Sequence, residues 1–199
     1  LRRQRQMCIR DRSNVDTWGL VFYRGIIPFI TVFFGMLLIY KLNFFKILFT
    51  SGYHGIIYIV TFSVTNITFV VSIQNTNVAN TLVMIATAPM LSAILSTFFL
   101  KELPDRKTWI SIIITFVAVV YIFYDSIKLG NFYGDILGFI TAIGLAIGAI
   151  TIRSAKSKNL VPAAVVGKLF VATFALLYLE NFVLVEKDLI IVPVSYTHL

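Results

Sequence analysis

The sequence has very few of the side chains on which metal sites and catalytic centres depend. Its 199 residues include one cysteine, Cys8, and two histidines, His54 and His198. These three side chains are too few for a cysteine- and histidine-based zinc site, and no nucleophile–histidine–carboxylate set is recognisable. No glycine-rich phosphate loop follows a strand-like segment either. We therefore predict no catalytic residue, no metal site and no cofactor, and we expect that the protein is not an enzyme.

Charged residues are also scarce, and acidic ones scarcer than basic ones. Asp, Glu, Lys and Arg make up 13% of the chain and hydrophobic residues 58%, whereas soluble domains are about 25% charged. The net charge of +8 comes from the basic residues of positions 1–12 and of short loops, and no basic face with interleaved aromatics occurs. This pattern predicts no nucleic-acid partner and places the chain in the lipid bilayer.

Both ends differ in character from the rest of the chain. Residues 1–12, LRRQRQMCIRDR, and residues 193–199, PVSYTHL, resemble translated adapter sequence and lack the features of a signal peptide. We interpret both as non-native segments, which removes Cys8 and His198 from consideration.

Long apolar runs without a β-type alternation occupy the remainder of the chain. Such runs are long enough to cross a hydrocarbon core of roughly 30 Å as helices. The predicted spans are A (18–40), B (53–73), C (78–100), D (108–124), E (132–152) and F (160–179). The predicted fold class is an all-α polytopic transmembrane helix bundle with six complete spans, and residues 189–192 are the start of a seventh apolar run.

Lysine and arginine are distributed unevenly between alternate loops. The loops after spans A, C and E carry Lys41, Lys46, Lys101, Arg106, Lys107, Arg153, Lys156 and Lys158, whereas those after B, D and F carry Lys128 and Lys187. The positive-inside rule places the first set in the cytoplasm. Span A then runs from outside to inside, which leads us to expect one further span upstream.

Two cations lie within predicted spans. Arg24 lies about two turns into span A, and Lys168 lies about two turns into span F. Intramembrane charges usually face a bundle interior or an aqueous cavity, but long basic side chains also reach the interface on their stems, so both interpretations stay open. A shift of 144 residues superposes Arg24 on Lys168, which suggests an inverted repeat because spans A and F run in opposite directions.

Three other residues are candidates for a substrate pathway. Span B is rich in hydroxyl groups and has Asn66 at its middle, where it either lines a cavity or bonds between helices. In span C, Pro89 removes a backbone hydrogen bond and predicts a kink, with Thr87 beside it. Two interpretations of the kink stay open: the carbonyl group that it frees faces a substrate, or the kink only helps the helices to pack.

Small residues recur every four positions in span E, at Gly134, Gly138, Ala142 and Ala146. A stripe of this kind lets helices approach closely, so we predict a helix-packing face. Asp135, near the outer end of the same span, is expected to be solvated.

Three stretches together resemble the EamA-type transporters of the drug/metabolite transporter superfamily. Residues 77–109 have A-P in mid-span and end in F-L-K-E before a short basic turn, span A contains F-Y-R, and span E opens with G-D-I-L-G-F. The resemblance implies ten spans in two inverted five-span repeats, with spans A to F as helices two to seven. Residues 13–126 then form the first repeat without its first helix, and residues 127–192 the truncated start of the second.

The resemblance implies a secondary transporter that exports small metabolites, such as amino acids or drug-like solutes, in a bacterial inner membrane. Its small-molecule substrate would meet Arg24, Asn66, Thr87, Pro89 and Lys168. Self-association into a homodimer stays open. The alternative from another class is a non-transporting membrane scaffold whose helices pack through the stripe of span E.

Overall fold

The computed structural model describes residues 17–40, 43–129, 132–156 and 158–178, and within these ranges it contains helices and no strand. The helices are α1 Thr17–Tyr40, α2 Asn43–Thr50, α3 Gly52–Asn75, α4 Val78–Ile85, α5 Ala88–Phe99, α6 Arg106–Leu129, α7 Phe132–Ser154 and α8 Val161–Leu177.

Four stretches are long and apolar enough to cross a membrane: Trp18–Ile39, Gly52–Asn75, Val78–Phe99 and Phe132–Ser154. They coincide with the predicted spans A, B, C and E, while α6 covers span D and the shorter α8 covers span F. Large apolar side chains are exposed along these helices, as expected of surfaces that face lipid tails. The predicted all-α membrane bundle is confirmed.

Helix α7 lies at the centre of the bundle, because α3, α4, α5 and α6 all pack against it. Its small-residue stripe is buried, at Gly134, Gly138, Ala142 and Ala146. A methyl group on Gly134 would lie 2.6 Å from the carbonyl carbon of Asn75, and one on Gly138 would lie 3.1 Å from Ser72 Oγ. The absence of side chains at these two positions is therefore what allows α3 to lie so close to α7.

Span C is interrupted after Ile85, and α5 starts at Ala88 with Pro89 in its first turn. Proline has no N–H to continue the helical ladder, which accounts for a break at this point. The Thr87 hydroxyl donates a 2.6 Å hydrogen bond to the carbonyl of Met84 and so satisfies one acceptor at the break.

The loops predicted to be cytoplasmic meet at one end of the bundle. Arg153, at the end of α7, forms an ion pair with Glu102 in the loop after α5. Ser51, between α2 and α3, donates to the carbonyl of Asn159, which precedes α8. The segment between the predicted spans A and B is not only loop, because it contains helix α2, which begins at Asn43.

Asp135 is buried, contrary to the expectation that it is solvated. Its side chain is 0% exposed. The Thr76 hydroxyl donates to one carboxylate oxygen at 2.5 Å, and Asn80 Nδ2 lies 3.4 Å from the other. The close approach of α3 at Gly134 brings these donors over a carboxylate in the first turn of α7, where the helix dipole also favours negative charge.

Candidate functional site

A cavity of about 490 Å³ lies between α1, α3, α7 and α8, with Ile85 of α4 also on its wall. Arg24, Asn66 and Lys168 line it, so three of the five residues predicted for a substrate pathway lie on one cavity. They come from three different helices and are separated by up to 144 residues in the chain. Cavities of a few hundred cubic ångströms are typical of small-molecule sites.

Lys168 and Asn66 are joined directly across the α3–α8 contact. The Lys168 ammonium donates a 2.6 Å hydrogen bond to Asn66 Oδ1. The amide nitrogen of Asn66 donates to the carbonyl of Phe62 at 2.7 Å, which fixes the orientation of the amide. The ammonium also lies 5.2 Å from the centroid of the Phe62 ring, in cation–π range. Asn66 therefore holds the lysine head group at the cavity wall.

Arg24 is half-buried in α1, and its guanidinium carbon lies 5.0 Å from the centroid of the Phe69 ring. Phe69 lines the same cavity and belongs to α3. Each of the two intramembrane cations therefore lies over an aromatic ring of α3, an arrangement in which ring faces stabilise charge in apolar surroundings.

Two glycines beside these cations set the helix crossings that bring them together. A methyl group on Gly25 would lie 2.8 Å from the backbone nitrogen of Ala172 and 3.0 Å from the carbonyl oxygen of Lys168. A methyl group on Gly167 would lie 3.0 Å from Phe62 Cδ1. Helix α8 thus packs closely on α1 at one glycine and on α3 at the other.

The hydroxyl groups of α3 serve mainly its own backbone. Thr61, Thr65 and Thr68 donate to carbonyls four residues earlier, at 2.8, 2.7 and 2.9 Å. Thr65 also lines the cavity, as does Thr141 of α7, whose hydroxyl lies 2.8 Å from that of Thr68. The polar character of span B therefore combines intrahelical bonds, a link to α7 and a modest polar contribution to the cavity.

Thr87 and Pro89, the other two predicted pathway residues, do not line this cavity. Thr87 is fully buried at the helix break, and Pro89 is exposed on the outside of the bundle. Ile85, four residues before Pro89, does line the cavity. Proline at 89 has no N–H to donate to the carbonyl of Ile85, so the helix breaks after this residue. Ile85 therefore borders both the break and the cavity, although the side chains of Thr87 and Pro89 do not line the wall.

Three aromatic wall residues, Tyr58, Phe62 and Phe69, were not singled out from the sequence. Together with Thr65 and Asn66 they follow the spacing i, i+4, i+7, i+8 and i+11, which places all five on one face of a helix. That periodicity was available in the sequence, although an apolar face in a membrane helix usually packs against a neighbour or faces lipid.

The cavity is elongated along the helices. Its wall runs from Phe69 to Tyr58 on α3 and from Thr141 to Ile152 on α7, about 16 Å in each case. Ile152 directly precedes Arg153, so the cavity extends to the end of the bundle where the Glu102–Arg153 ion pair lies.

The helices and the cavity together define a multi-pass membrane protein with a solute-sized cavity between its helices. A family model described as the EamA-like transporter family matches residues 7–124, which is more than half of the chain. The chain belongs to this family and is a membrane transporter of the drug/metabolite transporter type. Searches among curated proteins and among solved structures give no match.

The matched region ends at residue 124, before α7. The division into a first repeat at 13–126 and a second repeat at 127–192 therefore stays a prediction. Within the helices and turns that the structure describes, no group of three or more His, Cys, Asp or Glu side chains is placed to hold a metal ion.

Proposed function

We propose that the protein is a secondary transporter that exports small metabolites, such as amino acids or drug-like solutes, across a bacterial inner membrane by alternating access. The observation that carries this proposal is the convergence of Arg24, Asn66 and Lys168 on one cavity between apolar helices. Charges inside a membrane bundle are costly, and they usually mark a substrate or ion pathway.

The position of the cavity supports export. It extends toward the end of the bundle that carries the basic loops, which the positive-inside rule places in the cytoplasm. A cavity on that side can load a solute from the cytoplasm, and rocking of one half of the bundle against the other would then expose the solute outside. Helices α1 and α8 pack against each other and carry the two cations at positions that the 144-residue shift superposes. In this proposal the two halves move relative to each other at the contact between α1 and α8.

The test is transport by the purified chain in proteoliposomes, with a panel of radiolabelled amino acids and organic acids. Arg24→Ala and Asn66→Ala should reduce uptake of a transported solute at least about tenfold, because each loses a charged or amide contact. Asn75→Ala is a matched control, since Asn75 also belongs to α3 and donates to the carbonyl four residues earlier at 2.7 Å, but does not line the cavity. Equal loss in all three variants, or unchanged uptake in the first two, would remove this site from the pathway.

Thiol labelling tests whether the cavity opens to water, as alternating access requires. In a Cys8→Ser background, single cysteines at Thr65 and Asn66 should react with a water-soluble maleimide, because both residues line the cavity. Cysteines at Val60 and Val64, which are exposed in a separate apolar groove between α3 and α8, should stay protected by lipid. Uniform protection along α3 would mean that the cavity is closed to water and would count against this cavity as the transport pathway.

A further inference from the structure

The charges on the cavity wall are of one sign. Arg24 and Lys168 both line the cavity, and none of the other wall residues in the part of the chain that the structure describes is acidic. Two positive charges that share a cavity in a membrane repel each other, and an anion between them lowers the cost of holding both. The geometry points to a negatively charged ligand, an inference that rests on the proposed transport function and narrows its substrate class.

The polar contacts of the wall suit a single carboxylate. An ammonium has three donors, so Lys168 can donate to a ligand oxygen while it keeps its hydrogen bond to Asn66. A guanidinium presents donors in a planar fork that matches a carboxylate. Because Asn66 already orients the ammonium, the ligand does not have to order that side chain on binding.

The rest of the wall is mostly apolar and partly aromatic. Tyr58, Phe62 and Phe69 come from α3, and Ile85, Leu145 and Ile152 from its neighbours. A ligand rich in hydroxyl groups or with two phosphate charges would leave polar atoms without partners against this surface, which is unfavourable. A flat apolar body fits these side chains, and a volume of about 490 Å³ accommodates an aromatic ring with a short acid side chain.

We propose that the cavity binds aromatic or similarly apolar monocarboxylates, with the carboxylate between Arg24 and Lys168 and the apolar body against Phe62 and Phe69. Amino acids in their zwitterionic form bind less well, because the described residues of the wall offer no carboxylate to their ammonium group. Cationic solutes are excluded by the two positive charges.

Four probes of nearly equal shape test the charge requirement: 3-phenylpropionate, its neutral amide, phenylalanine and phenethylammonium. Equilibrium dialysis against the full 199-residue chain in detergent, with empty micelles as the baseline, measures the affinity of each probe. The acid should bind at least about tenfold more tightly than the amide, with phenylalanine weaker than the acid and the cation not detected. Equal binding of the acid and the amide would overturn the proposal.

Substitutions then assign the effect to the two cations. Arg24→Gln and Lys168→Gln should each weaken binding of 3-phenylpropionate about 10- to 100-fold and leave the weak binding of the amide unchanged. Lys168→Arg keeps the charge and should retain affinity within about threefold, which separates loss of charge from loss of fold. Lys158→Gln is the control, since Lys158 is an exposed cation just before α8 and does not line the cavity.

The outcomes separate this inference from the proposed function. If the protein transports a neutral or cationic solute, and this transport requires Arg24 and Asn66, the proposed transport function is supported and the anion site is refuted. If 3-phenylpropionate binds tightly but no solute is transported, the anion site is supported and the proposed export function is not. An equal effect of Lys158→Gln and Lys168→Gln would refute the assignment to the cavity.

Discussion

The close crossing of α1 and α8 at Gly25, next to the cavity, offers a direct test of how the helices position the two cations. In Gly25→Ala, the new methyl carbon would lie 2.8 Å from the backbone nitrogen of Ala172 and 3.0 Å from both its Cβ and the carbonyl oxygen of Lys168. Carbon atoms in packed interiors prefer about 3.5–4.0 Å, so α1 and α8 must separate by roughly 0.5–1 Å. Two of the three atoms belong to the backbone, and a change of rotamer cannot relieve those contacts. Overpacking of this kind costs about 1–3 kcal/mol.

Gly35→Ala is the matched control, because Gly35 lies in the same helix and has no heavy atom within 4 Å of its virtual Cβ. Thermal unfolding of the chain in detergent should show a fall in Tm of roughly 2–12 °C for Gly25→Ala and no fall for Gly35→Ala. Gly25→Ala should also weaken binding of an anionic probe, since the separation moves Arg24 relative to Lys168. Equal Tm values for the two variants would refute the close α1–α8 crossing.

Three further predictions concern contacts outside the cavity. Gly134→Ala should lower the free energy of unfolding by about 1–3 kcal/mol, because its methyl group would lie 2.6 Å from the α3 backbone. Gly148→Ala in the same helix is the control and should cause no such loss, since its nearest atom lies at 3.7 Å. Equal thermal stability of the two variants would contradict the packing of α7 on α3. Asp135→Ala should cost about 1–3 kcal/mol in the same assay, since two partly buried donors lose their acceptor, and a neutral effect would mean that water replaces the carboxylate. Arg153→Gln should change the unfolding free energy by less than about 1 kcal/mol because its ion pair with Glu102 is half-exposed, and a larger loss would point to a role beyond that pair.

The membrane class and the helix positions follow from the sequence because they depend on local properties. Length, apolar content and scarcity of charge decide whether a segment spans a bilayer, and each can be counted within one window. The same holds for the break near Pro89, since the missing N–H acts within one turn of helix. Arg24, Asn66 and Lys168 were found in the same way, as polar groups where apolar ones are expected.

Which residues share a cavity depends on how helices cross, and no local window contains that information. Thr87 looked like a pathway residue because it lies beside the break, but its hydroxyl turns to the carbonyl of Met84 and its side chain is buried away from the wall. Asp135 looked solvated because it lies near a helix end, but Gly134 brings α3 over it. For Asp135 the deciding contact comes from a neighbouring helix, which the small residue Gly134 permits without specifying. For Thr87 the hydrogen bond is local, and only the burial of the side chain depends on how the helices cross.

The glycines and the two cations belong to one arrangement. Long basic side chains in a membrane tend to extend to the interface, where water solvates their charge. Gly25 and Gly167 bring the backbones of α1, α3 and α8 close together. The ring of Phe69 then lies within reach of the Arg24 head group, and Phe62 and Asn66 lie within reach of that of Lys168. These partners stabilise the cations within the bundle, so the side chains gain less by extending to the interface, where water would solvate their charge. A larger residue at either glycine would separate the helices and weaken those contacts. The small residues beside the charges are therefore as much a part of the site as the charges themselves.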